Sequence, residues 1–374
     1  MDSGQKIFSE STLRYPIRVL IVDDSAFMRF TITKHLSEVS GITVVGSAHD
    51  GEEALRLIPK LKPDVVTLDI EMPRMNGLAT LREIMTRFPL PVIMVSSLTS
   101  DGARETIQAL TLGAVDFVTK PESKANLASI MDDVIAKVRR AAQTKVKVSR
   151  FTTLPATNRL SNTESLQNLS SNQNNKTGKI IRPMIKSDKI LIIGSSTGGP
   201  RALNTVVPEI PYDIPAAVLI IQHMPVGFTR SLAERLDTTS QLAVKEAAPG
   251  DALEVGRALV APGGYHMVLD ENNRIALNQA PPVHGVRPSV DVTMASVVQR
   301  FEGSVVGVVL TGMGSDGTNG SMLIHSSGGW IIAEAESSCV VWGMPRSVFE
   351  AGASNEVLPL PEIAAAIKRA VSKS

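Results

Sequence analysis

Residues 65–77 read VVTLDIEMPRMNG. An apolar run ends on an aspartate, Asp69, and the chain turns before a helix-period stretch from Gly77 to Arg87. Outward from this segment, RVLIVDD (18–24), TVVGSA (43–48), PVIMVSS (91–97) and DFVTKP (116–121) read as four more strands. Amphipathic stretches at 27–38, 51–61, 103–112 and 125–143 supply the helices between and after them. The strands are nearly unbroken apolar runs, as parallel strands buried on both faces require. Five βα repeats predict an open, doubly wound, flavodoxin-like sheet over residues 17–143.

Ligands of such sheets lie beyond the carboxyl ends of the strands. Asp23 and Asp24 end the first strand, Asp69 the third, Ser96 the fourth and Lys120 the fifth. Three carboxylates in one place repel one another unless a hard cation lies among them, and an oxygen-only donor set with room for water suits Mg²⁺. An aspartate beside that ion can attack phosphorus, with the ion and Lys120 neutralising the charge of the moving group.

LIVDDSAFMR, VVTLDIEMPRMNG, MVSS and DFVTKP together resemble, in order and spacing, the receiver domain of two-component response regulators. The resemblance implies that Asp69 is the phosphoacceptor and that Asp23, Asp24 and Asp69 hold Mg²⁺. It also implies that Ser96 is the switch hydroxyl, Lys120 the phosphate-sensing amine and Phe117 the aromatic residue that changes rotamer.

Residues 144–186 are rich in Ser, Thr and Asn, with one aromatic residue, and carry 8 basic against 1 acidic side chain. Such a segment buries too little apolar surface to offset its ordering entropy and reads as a flexible linker. As a coil, its r.m.s. span is roughly 35 Å.

A second αβ alternation fills residues 187–374. KILIIGSS, AAVLIIQH, RALVAPG, HMVLDE, SVVGVVLTG and WIIAEA read as strands of a second, Rossmann-like parallel sheet. Gly194-Ser195-Ser196-Thr197-Gly198 satisfies G-x-S-x-G, in which the central serine tops a tight strand-to-helix turn. The helix N-terminus favours a developing oxyanion, and the Thr197 N–H is its natural first donor. Neither G-x-G-x-x-G nor a P-loop lysine is present, which disfavours a nucleotide site. Of the histidines in this half, His223 follows the strand AAVLIIQ directly and is the best base by position. His266 and His284 lie in Gly- and Pro-rich loops that can line a pocket, and His325 lies in a helix-like segment. The group orienting the base is Asp316, in the turn after SVVGVVL, with Asp291 as the rival.

GSSTGGP, IIQHMPVGFTRSLAERL, VAPGGYHM, PPVHGVRPSVD, LTGMGSDG and SCVVWGMPR resemble the catalytic domain of the chemotaxis protein-glutamate methylesterases. On that resemblance Ser196 is the nucleophile, His223 the general base and Asp316 its partner, with the Met313 N–H a second oxyanion donor beside Thr197. The implied reactions are hydrolysis of glutamate methyl esters and deamidation of glutamines on methyl-accepting chemoreceptors, with no cofactor for the hydrolysis. The implied phosphodonor is the chemotaxis histidine kinase, and the implied control is docking of the unphosphorylated receiver over the esterase face.

Composition narrows the alternatives. The one cysteine, Cys339, excludes a disulfide framework and reads as a buried thiol rather than a rival nucleophile. Residues 187–374 carry 13 basic against 18 acidic side chains, which argues against nucleic acid as a ligand. No apolar run spans a bilayer and the polar N-terminus does not read as a signal peptide, so a cytoplasmic protein without membrane insertion is expected. Arg230 and Arg287 are candidates for meeting an acidic receptor surface, whereas Met224, Met313 and Met344 read as packing residues. Two other outputs stay open on the residues alone: a ligand-binding module without catalysis, and an esterase for small soluble esters.

Overall fold

The computed structural model describes residues 16–120, 127–144, 179–186 and 188–372. The expected helix start at Ala125 and most of the expected linker, residues 145–178, lie outside them.

Strands β1 (Ile17–Val22), β2 (Ile42–Ala48), β3 (Val65–Asp69), β4 (Val92–Ser96) and β5 (Asp116–Thr119) form one sheet. Its order is β2-β1-β3-β4-β5 and every pairing is parallel. Helices α1 (Ala26–Ser37), α2 (Gly51–Leu61), α3 (Gly77–Arg87), α4 (Ser100–Leu112) and α5 (Leu127–Ala141) alternate with the strands. The first four start where the sequence offers a cap: Ser25, Asp50, Asn76 and Thr99 each accept a backbone N–H of the first turn. Such a cap contributes about 1 kcal/mol. Strand order reverses around β1, so the crevice past β1 and β3 is where a ligand of this fold binds. Asp23 and Asp69 stand there.

The second unit opens with the short β6 (Arg182–Pro183), then β7 (Lys189–Ser195), α6 (Gly199–Val206), β8 (Ala216–Gln222) and α7 (Phe228–Thr239). There follow β9 (Ala243–Glu246), β10 (Glu254–Val255), β11 (Arg257–Val260), β12 (His266–Leu269), β13 (Ile275–Asn278) and α8 (Val290–Val298). The chain closes through β14 (Val305–Val309), α9 (Thr318–Ser326), β15 (Trp330–Glu334), α10 (Met344–Glu350), β16 (Glu356–Leu358) and α11 (Leu360–Ser372). The main sheet runs β16-β15-β14-β7-β8-β11-β9, parallel throughout. Its order reverses around β7, between β14 and β8.

Two readings of the sequence need correction. HMVLDE does not join the parallel sheet; its β12 pairs antiparallel with β13 in a separate hairpin. Residues 179–186, expected to be linker, pack on the second unit. Lys179 Nζ donates to the carbonyls of Asp237 and Leu242, at 2.6 and 2.7 Å. Arg182 forks onto the buried carboxylate of Asp188 at 2.6 and 2.8 Å, and β6 pairs with β10. These cations find acceptors on the second unit that a compositional reading cannot see.

The two units share an apolar interface. Helix α4 lies against α6 and α7, and one buried cluster is continuous from the first sheet into the second unit. The Phe117 and Phe228 rings meet across it, 4.5 Å between centroids. Among the described residues no helix is long and apolar enough to cross a membrane.

Candidate functional sites

At the end of the first sheet, Asp23 and Asp69 are each 1% exposed, and Asp24 stands beside them at the surface. One carboxylate oxygen of each lies within 4.8 Å of the others. Lys120 Nζ donates to Asp69 Oδ2 at 2.8 Å and is 4.0 Å from Asp23 Oδ2. Asp23 Oδ2 is buried and has no hydrogen-bond partner among the described residues. An orphaned anionic oxygen beside two more carboxylates fits a hard divalent cation. Burial pushes the Asp69 carboxyl up to about 6; the hydrogen bond and charge of Lys120 oppose the rise and the charge of Asp23 adds to it.

That shift has a sign for stability. The folded chain holds the Asp69 proton more tightly than the unfolded one, so without divalent ion this group costs stability as pH rises from about 4 to about 6. The cost is at most about 3 kcal/mol. Asp69→Asn removes it: in urea unfolding with chelator, the variant is expected to gain on the parent progressively between pH 4 and 6. A difference constant across that range would refute the assignment.

Ser96 and Phe117 do not touch Asp69 through any hydrogen bond among the described residues. Ser96 Oγ accepts from Thr106 Oγ1 at 2.7 Å and lies 3.1 Å from the Gly102 carbonyl, tying β4 to the first turns of α4. Phe117 is buried in the interface, with Lys137 Nζ 5.3 Å from its ring.

In the second unit, three loops converge past the carboxyl ends of β7, β8 and β14, at the reversal of strand order. Ser196 follows β7, His223 follows β8, and Asp316 lies in the turn after β14. His223 Nε2 is 2.7 Å from Asp316 Oδ2. Asp316 is 2% exposed and also accepts from Ser289 Oγ (2.7 Å) and the N–H groups of Val290 (2.7 Å) and Asp291 (3.0 Å), at the start of α8. Burial alone would raise its carboxyl, but the hydrogen bond and charge of His223 and the two backbone donors hold it below the usual range. An ionised Asp316 can only accept, so Nε2 carries the imidazole hydrogen and Nδ1 is left as an acceptor. Asp291, the rival partner, does not reach His223. It accepts from Gly320 N–H at 2.7 Å and from His284 Nε2 at 3.1 Å, which joins α8 to α9.

Ser196 and His223 line one cleft of about 410 Å³, and among the described residues no hydrogen bond joins their side chains. The loop after β14 crosses directly over the nucleophile turn. Ser196 N–H donates to the Thr311 carbonyl at 3.0 Å, and a Cβ on Gly312 would lie 2.8 Å from Ser196 Cβ. Glycine is required at 312, the residue before Met313. The backbone N–H groups of Thr197 and Met313 donate to no acceptor among the described residues.

The far wall of this cleft belongs to the first unit, where docking of the receiver over the esterase face was expected, but the residues that form it were not read from the sequence. Asp116, Phe117, Lys137 and Arg140 line it together with Ser196 and His223. Asp116 Oδ2 accepts from Thr197 Oγ1 at 2.8 Å, and Arg140 Nη1 is 3.1 Å from Met313 Sδ. Asp116 lies in a segment singled out for Lys120 and Phe117, yet nothing in one sequence says which side chain meets another unit. His266 is buried on β12 and does not line the cleft. His325 is exposed on α9. Burial first, and the charge and hydrogen bond of Glu334 next, push the Cys339 thiol far up, which makes it inert. Arg287 does line the cleft and donates to the carbonyls of Gln279 and Ala280, whereas Arg230 pairs with Glu246 at 3.4 Å.

Comparison with known proteins adds the following. Residues 19–132 match the family model described as response regulator receiver domain, and residues 191–367 the one described as CheB methylesterase. A protein of Symbiobacterium thermophilum named protein-glutamate methylesterase/protein-glutamine glutaminase is 52% identical over 364 residues, 96% of this chain and 98% of that one. An Archaeoglobus fulgidus protein of the same name is 47% identical over 360 residues, 94% of this chain and 97% of its own. Among solved structures, the Thermotoga maritima CheB methylesterase catalytic domain is 43% identical and covers 49% of this chain and 98% of its own, with a TM-score of 0.48.

Proposed function

Because the chain belongs to the protein-glutamate methylesterase/protein-glutamine glutaminase family, with a receiver ahead of the catalytic unit, we propose that Ser196, His223 and Asp316 carry out its hydrolysis under the control of Asp69. The observation that carries this is the His223–Asp316 hydrogen bond in the cleft that Ser196 lines. Ser196 Oγ attacks the side-chain acyl carbon of a methylated glutamate while His223 Nδ1 takes its proton. The N–H groups of Thr197 and Met313 donate to the oxyanion. His223 returns the proton to the leaving oxygen, methanol departs, and water activated by the same imidazole frees the glutamate. With glutamine, ammonia leaves instead. The substrates are methyl-accepting chemoreceptors, whose cytoplasmic helices carry these side chains, and the protein acts in the cytoplasm.

Asp69 accepts a phosphoryl group from the phosphohistidine of the chemotaxis histidine kinase. Asp23, Asp24 and Asp69 would hold Mg²⁺, which when bound neutralises charge on the transferring group. Lys120 adds a second positive charge, 2.8 Å from Asp69. Drawing Ser96 toward a phosphorylated Asp69 would pull its hydroxyl away from Thr106 and the first turns of α4, the helix packed on α6 and α7.

That movement matters because Asp116, Phe117, Lys137 and Arg140 form the far wall of the cleft in front of Ser196. The receiver stands over the face from which a receptor helix would approach, and withdrawal of the wall opens it. The test is methanol release from methylated receptor membranes with and without acetyl phosphate. A rise with phosphodonor is expected in the full chain; equal rates would refute control by the receiver. Asp116→Ala removes a hydrogen bond to a charged acceptor that holds the wall in place. It is expected to raise the unphosphorylated rate about 10-fold and to leave the phosphorylated rate unchanged.

A further inference from the structure

We infer that Gln222 is a positioning residue that fixes Ser196 and His223 relative to each other. Strands β7 and β8 are neighbours, and Ser195 pairs with Gln222 at their last register position. The nucleophile and the base are each the next residue, just past the end of the ladder. Its last bond runs from His223 N–H to the Ser195 carbonyl at 3.1 Å. Beyond that bond the sheet no longer sets their separation.

The Gln222 side chain does. It is 2% exposed and folds across the two strand ends. Its Nε2 donates to the Ser196 carbonyl at 2.9 Å and to the His223 carbonyl at 3.1 Å, while Oε1 accepts from Ser195 Oγ at 2.7 Å. The orientation of the amide is forced. Two carbonyls can only accept, so NH₂ faces them, and the Ser195 hydroxyl closes the set by donating to Oε1. One buried amide thus holds the backbones of both reacting residues, and a third residue fixes which way it points.

Gly199 completes the arrangement. A Cβ at this position would lie 1.9 Å from Gln222 Oε1 and 2.8 Å from Ser195 Oγ. This glycine of GSSTGGP therefore makes room for the amide, a use distinct from opening the turn to substrate. Ser195, Gly199 and Gln222 form one device beside the reacting residues. Through it Gln222 makes three of the four hydrogen bonds its amide can make, two to the Ser196 and His223 carbonyls and one from Ser195 Oγ.

Displacement of a reacting group by about 1 Å costs about 100-fold in rate. Gln222→Met keeps the length of the side chain and removes its three hydrogen bonds. In the phosphorylated full chain acting on methylated receptor membranes, kcat is expected to fall about 10- to 100-fold with KM within about twofold. Ser195→Ala, which frees only the amide's anchor, is expected to cost less, about 3- to 10-fold. The double variant is then expected to be no worse than Gln222→Met alone, because both act through the same amide. Losses that multiply in the double variant, a KM increase that accounts for the whole effect, or kcat within twofold of the parent would overturn the inference. Should Gln222→Met fail to fold, an unchanged kcat in Ser195→Ala overturns it and the expected partial loss supports it. The inference rests on Ser196 and His223 being nucleophile and base, so Ser196→Ala is measured alongside. Activity surviving there defeats that reading itself, whereas an inactive Ser196→Ala with a fully active Gln222→Met defeats only the role of Gln222.

Discussion

Ser196→Ala is expected to lower methanol release from methylated receptors by about 10⁴-fold or more. The size follows from how much of the site is built around one oxygen. His223 is already held in the tautomer that accepts a proton at Nδ1, because Nε2 is committed to Asp316 at 2.7 Å. The Thr197 and Met313 N–H groups have no acceptor among the described residues, and the next loop is drawn close by the Ser196 N–H bond to Thr311. Without the hydroxyl, the base has no nucleophile to activate, and only the oxyanion donors and substrate binding remain. Methanol release that persists in this variant would mean that water or another side chain attacks directly. Cys339 does not line the cleft, and burial and Glu334 push its thiol up, which disfavours it for that role. Complete loss with the fold intact would also remove the reading of the second unit as a binding module.

Much of this arrangement was legible because both sheets are parallel and buried. Strands β3, β4, β8 and β14 are buried at every residue, so each showed as a nearly continuous apolar run, with a polar residue ending β3, β4 and β8. Position at or just past a strand end singled out Asp69, Ser196 and His223 as candidates. Strand order carried the rest, since both crevices lie where the order of an open, doubly wound sheet reverses. Legibility failed where burial is partial. Edge strands β9 (AVKE) and β16 (EVL) each have only partial shelter and mix charge with apolar residues, so they give no run to read. It failed also where partners are distant in sequence. Asp291 stood as the rival to Asp316 in the sequence, and the turn of α8 directs its carboxylate to Gly320 and His284 instead of His223. The wall formed by Asp116 and Arg140 depends on how two folded surfaces meet, which no pattern within either unit encodes.

Asp316→Asn is expected to lower kcat by about 10⁴-fold with little change in KM. The carboxylate accepts four hydrogen bonds, two on each oxygen: His223 Nε2 and Val290 N–H on Oδ2, Ser289 Oγ and Asp291 N–H on Oδ1. An amide cannot replace it in either orientation. With NH₂ toward His223, it opposes the Val290 N–H and forces Nε2 to accept, so the ring hydrogen moves to Nδ1 and the base is lost. With NH₂ on the other side, it opposes the Asp291 N–H at the start of α8, and the imidazolium formed during catalysis faces a neutral oxygen in place of an anion. Both arrangements remove transition-state stabilisation without touching the substrate, so kcat falls and KM does not. The discriminating control is Asp291→Asn, which leaves every contact of His223 intact and is expected to cost less than about 10-fold. Equal losses in the two variants would mean that the acidic pair acts by holding α8 in place. A far larger loss at Asp316 assigns the effect to the imidazole it orients.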